Sequence, residues 1–550
     1  MPNNNYKMKW WGWGNKDKFA NLENYLGIKT YLNNKFSIKN LQNKKKFSIE
    51  DIIIPNSKMP SNIVSKFIKL LGKERVFQCK KERIIHTFGK SYKDSLKIRS
   101  NKIDIAPDLV IYPESEEEIK SIFLIAKTYQ IAIVPFGGGT SVVGGLDAKP
   151  GQNKYVLSLD LTRLNKIIKI DKQSRTALIE AGKFGPEIEE ELKQAGLTLG
   201  HYPQSFEFST LGGWIAARSS GQNSILFGGI ESLVIALKMV SPNGEVHTIH
   251  SPRMATGPDF KEIILGSEGS LGVITKALVK ISPIPERQEY NMYVFKNFQE
   301  AKNAAKDITQ NKIPVAMIRV SNEDETEAFF AMGKSKKTFL SDFFSKIIKK
   351  YMRIKNIDPK CCSTMLVGFE GNENDILINK EKITKLFSNY SQLSLGTKPG
   401  KKWLKDRFFL PYIRDEFMDN DLLIDTLETS TTWNRLDELY KLIKKAIHDS
   451  IDTDKVIIYT HLSHFYNSGA SLYVTIVALQ NTENPILQWQ NMKEKVNKTL
   501  KEFNAPISHH HGVGIDHKDG IHWSNSEQLL MQNLKDQFDP NGIMNPGKLL

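Results

Sequence analysis

The sequence predicts an α+β fold divided into two or more domains, and three observations carry that prediction. The 550 residues are 40% hydrophobic and 10% aromatic, enough to bury more than one core. Apolar runs of strand length alternate with a helical pattern through the first half, and no repeat of solenoid period occurs. Two glycine-rich blocks each adjoin a strand run, and a proline-rich break follows the second.

Residues 1–103 are polar, lysine-rich and expected to be largely helical. Leu109-Val110-Ile111-Tyr112-Pro113 then reads as a short strand closed by proline. Glu114 to Tyr129 reads as a helix, with acidic residues at its positive end and apolar residues at Ile119, Ile122, Phe123 and Ile125. The buried-strand run Ile131-Ala132-Ile133-Val134 leads into Pro135-Phe136-Gly137-Gly138-Gly139-Thr140-Ser141 and on to Gly144-Gly145. Such glycines let successive backbone N–H groups converge on an anion, or simply allow a tight turn; both readings fit. No lysine follows the last glycine, so this is not a nucleotide P-loop. Further strands are expected at Val156 to Asp160, Ala177 to Ala181 and Leu233 to Val240. Pro242-Asn243-Gly244 joins the last of these to Glu245-Val246-His247-Thr248-Ile249 as a hairpin. The second block, Gly266-Ser267-Glu268-Gly269-Ser270-Leu271-Gly272, runs into a strand from Val273 to Ile281, and Pro283-Ile284-Pro285 marks a domain boundary.

Composition narrows the function. A net charge of +15 favours an anionic partner, but without a zinc-finger or RNA-recognition signature no nucleic-acid partner is expected. Three cysteines give neither a disulfide framework nor zinc-binding dyads, which fits a reducing compartment. No apolar run reaches the roughly 20 residues of a membrane span. Met1 to Gly14 does not read as a secretory signal, and Gly547-Lys548-Leu549-Leu550 is not a peroxisomal ending. A cytoplasmic protein, membrane-associated or peroxisomal if eukaryotic, is expected.

The densest chemistry lies near the C-terminus. Five of the 12 histidines fall between His509 and His522, three of them consecutive as His509-His510-His511 before Gly512-Val513-Gly514. Imidazoles there suit proton transfer, anion binding or metal binding, and a solvated polar loop is the plain alternative.

Taken in order, the two glycine blocks, with Glu180-Ala181-Gly182 and Ser205 to Trp214 between them, resemble the FAD-binding domain of the vanillyl-alcohol oxidase superfamily. Asp539-Pro540-Asn541-Gly542-Ile543-Met544-Asn545-Pro546-Gly547-Lys548 resembles the C-terminus of its FAD-linked oxidase branch. Within that branch, hydroxyacid dehydrogenases carry a metal-binding glutamate where this chain has His510, and a histidine where it has Tyr473. Phenol is a rare metal ligand, so no metal is expected. Both substitutions are similar to the alkyldihydroxyacetonephosphate synthase family, as are Met8-Lys9-Trp10-Trp11-Gly12-Trp13-Gly14, His201-Tyr202-Pro203-Gln204-Ser205, Phe208 to Trp214, Ile318-Arg319-Val320, Tyr412-Ile413-Arg414-Asp415, Glu428-Thr429-Ser430 and His461-Leu462-Ser463-His464. Lys90 departs from the pattern, standing where many relatives have histidine.

The resemblance implies an enzyme of ether-lipid biosynthesis that exchanges the acyl chain of acyl-dihydroxyacetone phosphate for a long-chain fatty alcohol without net oxidation. It implies a two-part FAD-binding domain at 104–285, an α/β substrate-cap domain at 286–505, and a segment at 506–550 that completes the active site. FAD would contact Pro135, Gly137, Gly138, Gly139, Thr140, Ser141, Ser205, Ser209, Thr210, Gly212, Trp214, Glu268, Gly269, Gly272, Val273 and Ile274. No nucleophile neighbours Phe136, so non-covalent FAD is expected. Tyr473 would be the acid/base, its phenol acidified by nearby positive charge and the flavin. His510 and His511 would shuttle the proton and polarise the ketone, with His509 structural. Arg319 and Arg414 would hold the phosphate or orient the His and Tyr side chains. His461 and His464 would support the site or sit as core histidines. Family members tend to be homodimers. From Phe339 to Lys355, apolar and basic residues interleave at helical spacing, which suits peripheral contact with an anionic bilayer or packing on the protein's own domain. An FAD-linked 2-hydroxyacid dehydrogenase and a non-catalytic basic binding protein are the other readings.

Overall fold

A computed structural model describes residues 8–18, 20, 26–36, 47–332, 350–451 and 455–550. Three β-sheets organise them. The first contains β1 (Val76–Phe77), β2 (Leu109–Ile111), β3 (Ile131–Phe136) and β4 (Tyr155–Asp160) in the order β1-β2-β4-β3, parallel except at β1. The second contains β5 (Ile167–Asp171), β6 (Thr176–Glu180), β8 (Val234–Ser241), β9 (Gly244–His247) and β10 (Val273–Lys280), all antiparallel; β7 (Leu197–Thr198) and β11 (Ser282–Pro283) pair apart from it. The strand runs read from the sequence fall on β2, β3, β4, β6, β8 and β10, and the proline-asparagine-glycine hairpin is β8–β9.

The near-continuous apolar run of β3 suits a strand covered on both faces. Its helix, Glu116–Tyr129, starts where Ser115 accepts the Glu118 N–H and buries Ile119, Ile122, Phe123 and Ala126 against that sheet. The free edge of β3 is closed by the far C-terminus. Ile133 N–H donates to Ile543 O at 2.7 Å, and Asn545 N–H donates to Ile133 O at 2.8 Å.

The third sheet, antiparallel throughout, holds β12 (Arg287–Phe295), β13 (Met317–Ser321), β14 (Ser363–Gly371), β15 (Gln392–Gly396), β16 (Leu422–Thr432), β17 (Val456–Phe465) and β18 (Gly469–Leu479) in the order β15-β12-β14-β13-β17-β18-β16. Helices including Phe298–Gln310, Leu436–His448 and Pro485–Phe503 cover it. The N-terminal helices do not form a unit of their own. Leu26–Phe36 packs into the core of this third sheet, whereas Ser61–Leu71 packs into that of the first.

Residues 339–349 of the expected amphipathic segment lie outside the described residues. Residues 350–354 are helical, with Tyr351 and Ile354 exposed.

Candidate active site

Register in the third sheet lays out the site. Glu428 on β16 pairs with Tyr473 on β18, which pairs with His461 on β17, so the three stand in a row across the sheet. His461 stacks on Tyr473 with ring centroids 4.7 Å apart. Behind it, His461 Nδ1 lies 3.3 Å from Glu325 Oε1, and Arg319 Nη2 donates to the same oxygen at 2.5 Å. Burial alone would raise the Glu325 carboxyl, but Arg319 and then His461 hold it well below the usual carboxylate range. Arg319 thus reaches Tyr473 through Glu325 and His461.

The histidine run lies over this row, with the Tyr473 ring centroid 6.1 Å from that of His510 and 5.6 Å from that of His511. Its backbone is held by two carboxylates. Glu428, fully buried, accepts the Ser508 hydroxyl at 2.7 Å and the N–H groups of His509, His510 (3.2 Å) and His511 (2.7 Å). Glu268, from the second glycine block, accepts the N–H groups of Val513 and Gly514, each at 2.7 Å. His517 adds a third hold. Lys493 can only donate, so its ammonium, 3.0 Å from His517 Nε2, makes that nitrogen the acceptor; Nδ1–H then donates to Gly512 O at 3.1 Å.

Burial pushes His509, His510, His511 and His464 below the ordinary imidazole value, furthest for His510 and His464. Burial thus favours the neutral form of these histidines at neutral pH. Burial pushes the Tyr473 phenol up to about 12, because desolvation outweighs the hydrogen bond from Thr426 and the charge of Arg319.

His464, His509 and His510, and separately Glu428, His510 and His511, each offer ligand atoms within 4.8 Å of one another. In the second group Glu428 Oε1 already accepts three protein donors, so its charge is met by N–H and O–H groups without a cation. His509 Nε2 meets the Tyr466 hydroxyl at 2.7 Å, and His464 Nδ1 meets the Ser224 hydroxyl at the same distance.

The cofactor segments read from the sequence converge. A Cβ at Gly138 would stand 1.6 Å from Phe208 O, one at Gly137 2.4 Å from Thr210 Oγ1, one at Gly212 2.8 Å from Ala181 Cβ, and one at Gly269 2.9 Å from Pro135 Cγ. Trp214 Nε1–H donates to Ser209 Oγ at 2.6 Å, and Thr210 caps the helix Leu211–Ala217 by accepting the Gly213 N–H. Gly139 and Gly144 take positive φ, and no carbonyl among the described residues accepts the N–H of Gly137, Gly138, Gly139 or Thr140. A turn with that many backbone donors left over fits a bound pyrophosphate. The histidine loop abuts it, since Ile515 and Asp516 N–H both donate to Val143 O. Val273 and Ile274 open β10 directly after Gly272. The carboxylate of Glu268, by contrast, faces the histidine loop. The His86 ring lies tilted against Phe136 with centroids 4.3 Å apart, but its Nδ1 is held by Glu82 O and its Nε2 by Asp160.

Arg414 stands on a helix and not on the strands of the Tyr473 row. It donates to Ser95 Oγ at 2.9 Å from the helix Leu410–Met418, and its buried Nε has no partner among the described residues. The tryptophan-rich start is strapped over the same helix. Trp13 N–H donates to Asp415 Oδ2 at 2.7 Å, Asn15 N–H to the Tyr412 hydroxyl at 3.0 Å, and Lys90 Nζ to Lys9 O at 3.2 Å. Lys90 therefore grips this segment from below, where burial lowers its ammonium to about 8.

Sequence reasoning quoted Glu428 only within a motif and missed its task; Glu325, Lys493 and His517 went unread. The available signal was an acid on the polar side of an alternating strand, Thr426-Leu427-Glu428-Thr429-Ser430.

Comparison with known proteins matches residues 107–250 to an FAD binding domain and residues 284–549 to the C-terminal domain of FAD linked oxidases. The chain is 34% identical to alkyldihydroxyacetonephosphate synthase of Dictyostelium discoideum, covering 91% of this chain and 83% of that protein. It is also 34% identical to the enzyme of the same name from Trypanosoma brucei brucei, over 92% and 83%. A solved structure of alkyldihydroxyacetonephosphate synthase superposes with a TM-score of 0.83 at 30% identity, covering 99% of this chain and 98% of that one.

Proposed function

The chain belongs to the alkyldihydroxyacetonephosphate synthase family, and from that premise we propose that it forms the ether bond of ether lipids, exchanging the acyl chain of acyl-dihydroxyacetone phosphate for a fatty alcohol. It is an FAD-dependent enzyme. In balance, the ester C–O bond breaks and a fatty acid leaves, the alcohol oxygen bonds to the same carbon, and no electrons are gained or lost overall. The chemistry FAD supplies when bound is that of an electron sink for the substrate carbon.

The residues divide the remaining work. Tyr473, a phenol whose neutral form burial favours, is protonated at neutral pH. It relays the substrate's proton to the neutral imidazoles of His510 and His511 and returns one as the alcohol adds. Either imidazole, once protonated, polarises the ketone. His509, tied to Tyr466, is structural. Arg414, with an unpartnered buried N–H, suits the substrate phosphate, and Arg319 orients the Tyr473 row through Glu325. FAD binds non-covalently, because the ring nitrogens of His86, the histidine beside the glycine loop, are both engaged.

The observation that carries this reading is the row Glu428–Tyr473–His461 lying under the histidine loop, beside two converged glycine blocks. A homodimer and peripheral contact with an anionic bilayer belong to the same reading. They rest on the family resemblance and on exposed Tyr351 and Ile354 among basic residues; no described helix is long and apolar enough to cross a membrane.

Purified flavin-loaded protein, given acyl-dihydroxyacetone phosphate and labelled fatty alcohol, should yield the labelled ether. Tyr473→Phe and His510→Ala should lose that product by at least about 10³-fold while keeping FAD, and full activity in either would remove that residue from the mechanism. Reduction of redox dyes by a 2-hydroxyacid, without ether formation, would favour the dehydrogenase reading instead.

A further inference from the structure

The histidine loop is held more firmly than a surface turn requires, and one group does most of the holding. Glu428 is fully buried and lies 80 residues from the nearest part of the loop in sequence, yet its two oxygens gather four donors from four successive residues, Ser508 to His511. Three are backbone N–H groups, so the loop adopts this curve whatever the imidazoles do. The same carboxylate lies 3.4 Å from His511 Nδ1 and 3.9 Å from His510 Nδ1. A carboxylate beside an imidazole nitrogen selects the tautomer with its proton on that nitrogen. Its third neighbour is Tyr473, opposite it in the sheet register.

We propose that Glu428 is the positioning residue of this active site: it curves the loop so that His510 and His511 face Tyr473, and it keeps the proton of His511 on Nδ1, leaving Nε2 to accept. The proposal rests on the exchange reading above. Glu428 touches no reacting atom. It acts by fixing where two bases stand and which nitrogen of one of them is free, and a shift of about 1 Å in such a base costs about 10²-fold in rate. Two further contacts keep the carboxylate itself in place. The Ser508 hydroxyl that donates to it also accepts the N–H groups of His511 and Gly512, both at 3.1 Å, and the neighbouring Thr429 hydroxyl donates to Pro506 O at 2.6 Å.

Glu428→Gln keeps the shape, removes the charge and turns an amide NH₂ toward backbone N–H groups. The flavin-loaded variant should bind acyl-dihydroxyacetone phosphate with unchanged KM while kcat falls about 10²-fold. The acid limb of its kcat/KM profile should also move to lower pH. The groups acting on His511 are Glu428 and Asp425, which raise it, and Lys493, which lowers it, so losing Glu428 favours the neutral imidazole. A purely structural role would lower flavin content or melting temperature without moving that limb. Unchanged kcat in a folded, yellow Glu428→Gln protein overturns the proposal. If that variant does not fold, Ser508→Ala decides: a fall of about tenfold in kcat at unchanged KM, the worth of roughly one hydrogen bond, supports the proposal, and unchanged kcat overturns it. Absence of ether product from the wild-type enzyme is the separate result that fails the exchange reading and the proposal with it.

Discussion

Two tight turns meet at the centre of this molecule, and they treat their backbone N–H groups in opposite ways. The glycine loop, 137–141, leaves a row of N–H groups without carbonyl partners among the described residues. The histidine loop, 508–514, has its N–H groups claimed by Glu428, Ser508 and Glu268. Both turns solve the problem of concentrating amide dipoles in a buried place. One leaves donors that suit an anion, the other is completed by carboxylates the chain itself supplies. The first is thus suited to binding, and the second is a platform that fixes imidazole side chains.

The comparison is broken most severely at Gly138. An added Cβ there would stand 1.6 Å from a backbone carbonyl oxygen, which cannot move aside as a flexible side chain can. Gly138→Ala should therefore displace the loop, and the purified protein should be colourless and destabilised by about 3 kcal/mol, the upper range of overpacking costs. Gly196→Ala is the matched control: φ is +76° and nothing lies within 4 Å of the added Cβ. It should cost about 1 kcal/mol of backbone strain and leave the flavin bound. A fully yellow Gly138→Ala protein would mean that the loop's shape is not what holds FAD.

A smaller effect is expected at the other turn. Glu268→Ala removes the acceptor for two N–H groups and leaves both buried, worth about 3 kcal/mol together. Its flavin content should change little, because its carboxylate faces the histidine loop. Loss of flavin with an unchanged melting temperature would reverse the roles assigned to the two turns.

How much of this was legible beforehand follows the range of the interactions. The strands, the β8–β9 hairpin and the helix Glu116–Tyr129 rest on local signals, namely period, caps and turn residues, and the structure carries them where expected. Both glycine blocks and the histidine run were visible as residue types. What could not be read is which buried acid serves which turn. Glu428 and Glu268 find their donors 81 and 245 residues away, and nothing local marks either as an amide acceptor rather than a surface charge. Lys90 was legible only as a departure; its ammonium turns out to hold the carbonyl of Lys9, 81 residues away. At Tyr473 a sequence counts nearby charges but not the desolvation by the surrounding protein, which raises the phenol.

The finest distinction lies between the two carboxylates themselves, which are tuned in opposite directions. Burial would raise Glu428, but His511 and His509, the Ser508 hydroxyl and the N–H groups bring it below the ordinary value. The histidines are themselves depressed and neutral at pH 7, so there the hydroxyl and amide donors carry the effect. Glu268 has only two N–H donors against complete burial, and its carboxyl rises to about 7. Linkage gives each a sign. Glu428 contributes stability above its unfolded value and loses it as the pH falls through its lower folded value. Glu268 holds its proton more tightly when folded, so its contribution is complete below the unfolded value of 4.5 and fades as the pH rises through about 7. Glu268→Gln, which cannot ionise, should therefore gain on the wild type in melting temperature as the pH rises from 5 to about 8, by a few degrees at most. Glu428→Gln should keep a constant deficit over the same interval and narrow it only as the pH falls below the unfolded value of 4.5. Parallel curves for the two variants would mean that the carboxylates are equivalent clamps, and that the count of donors around each does not set its charge.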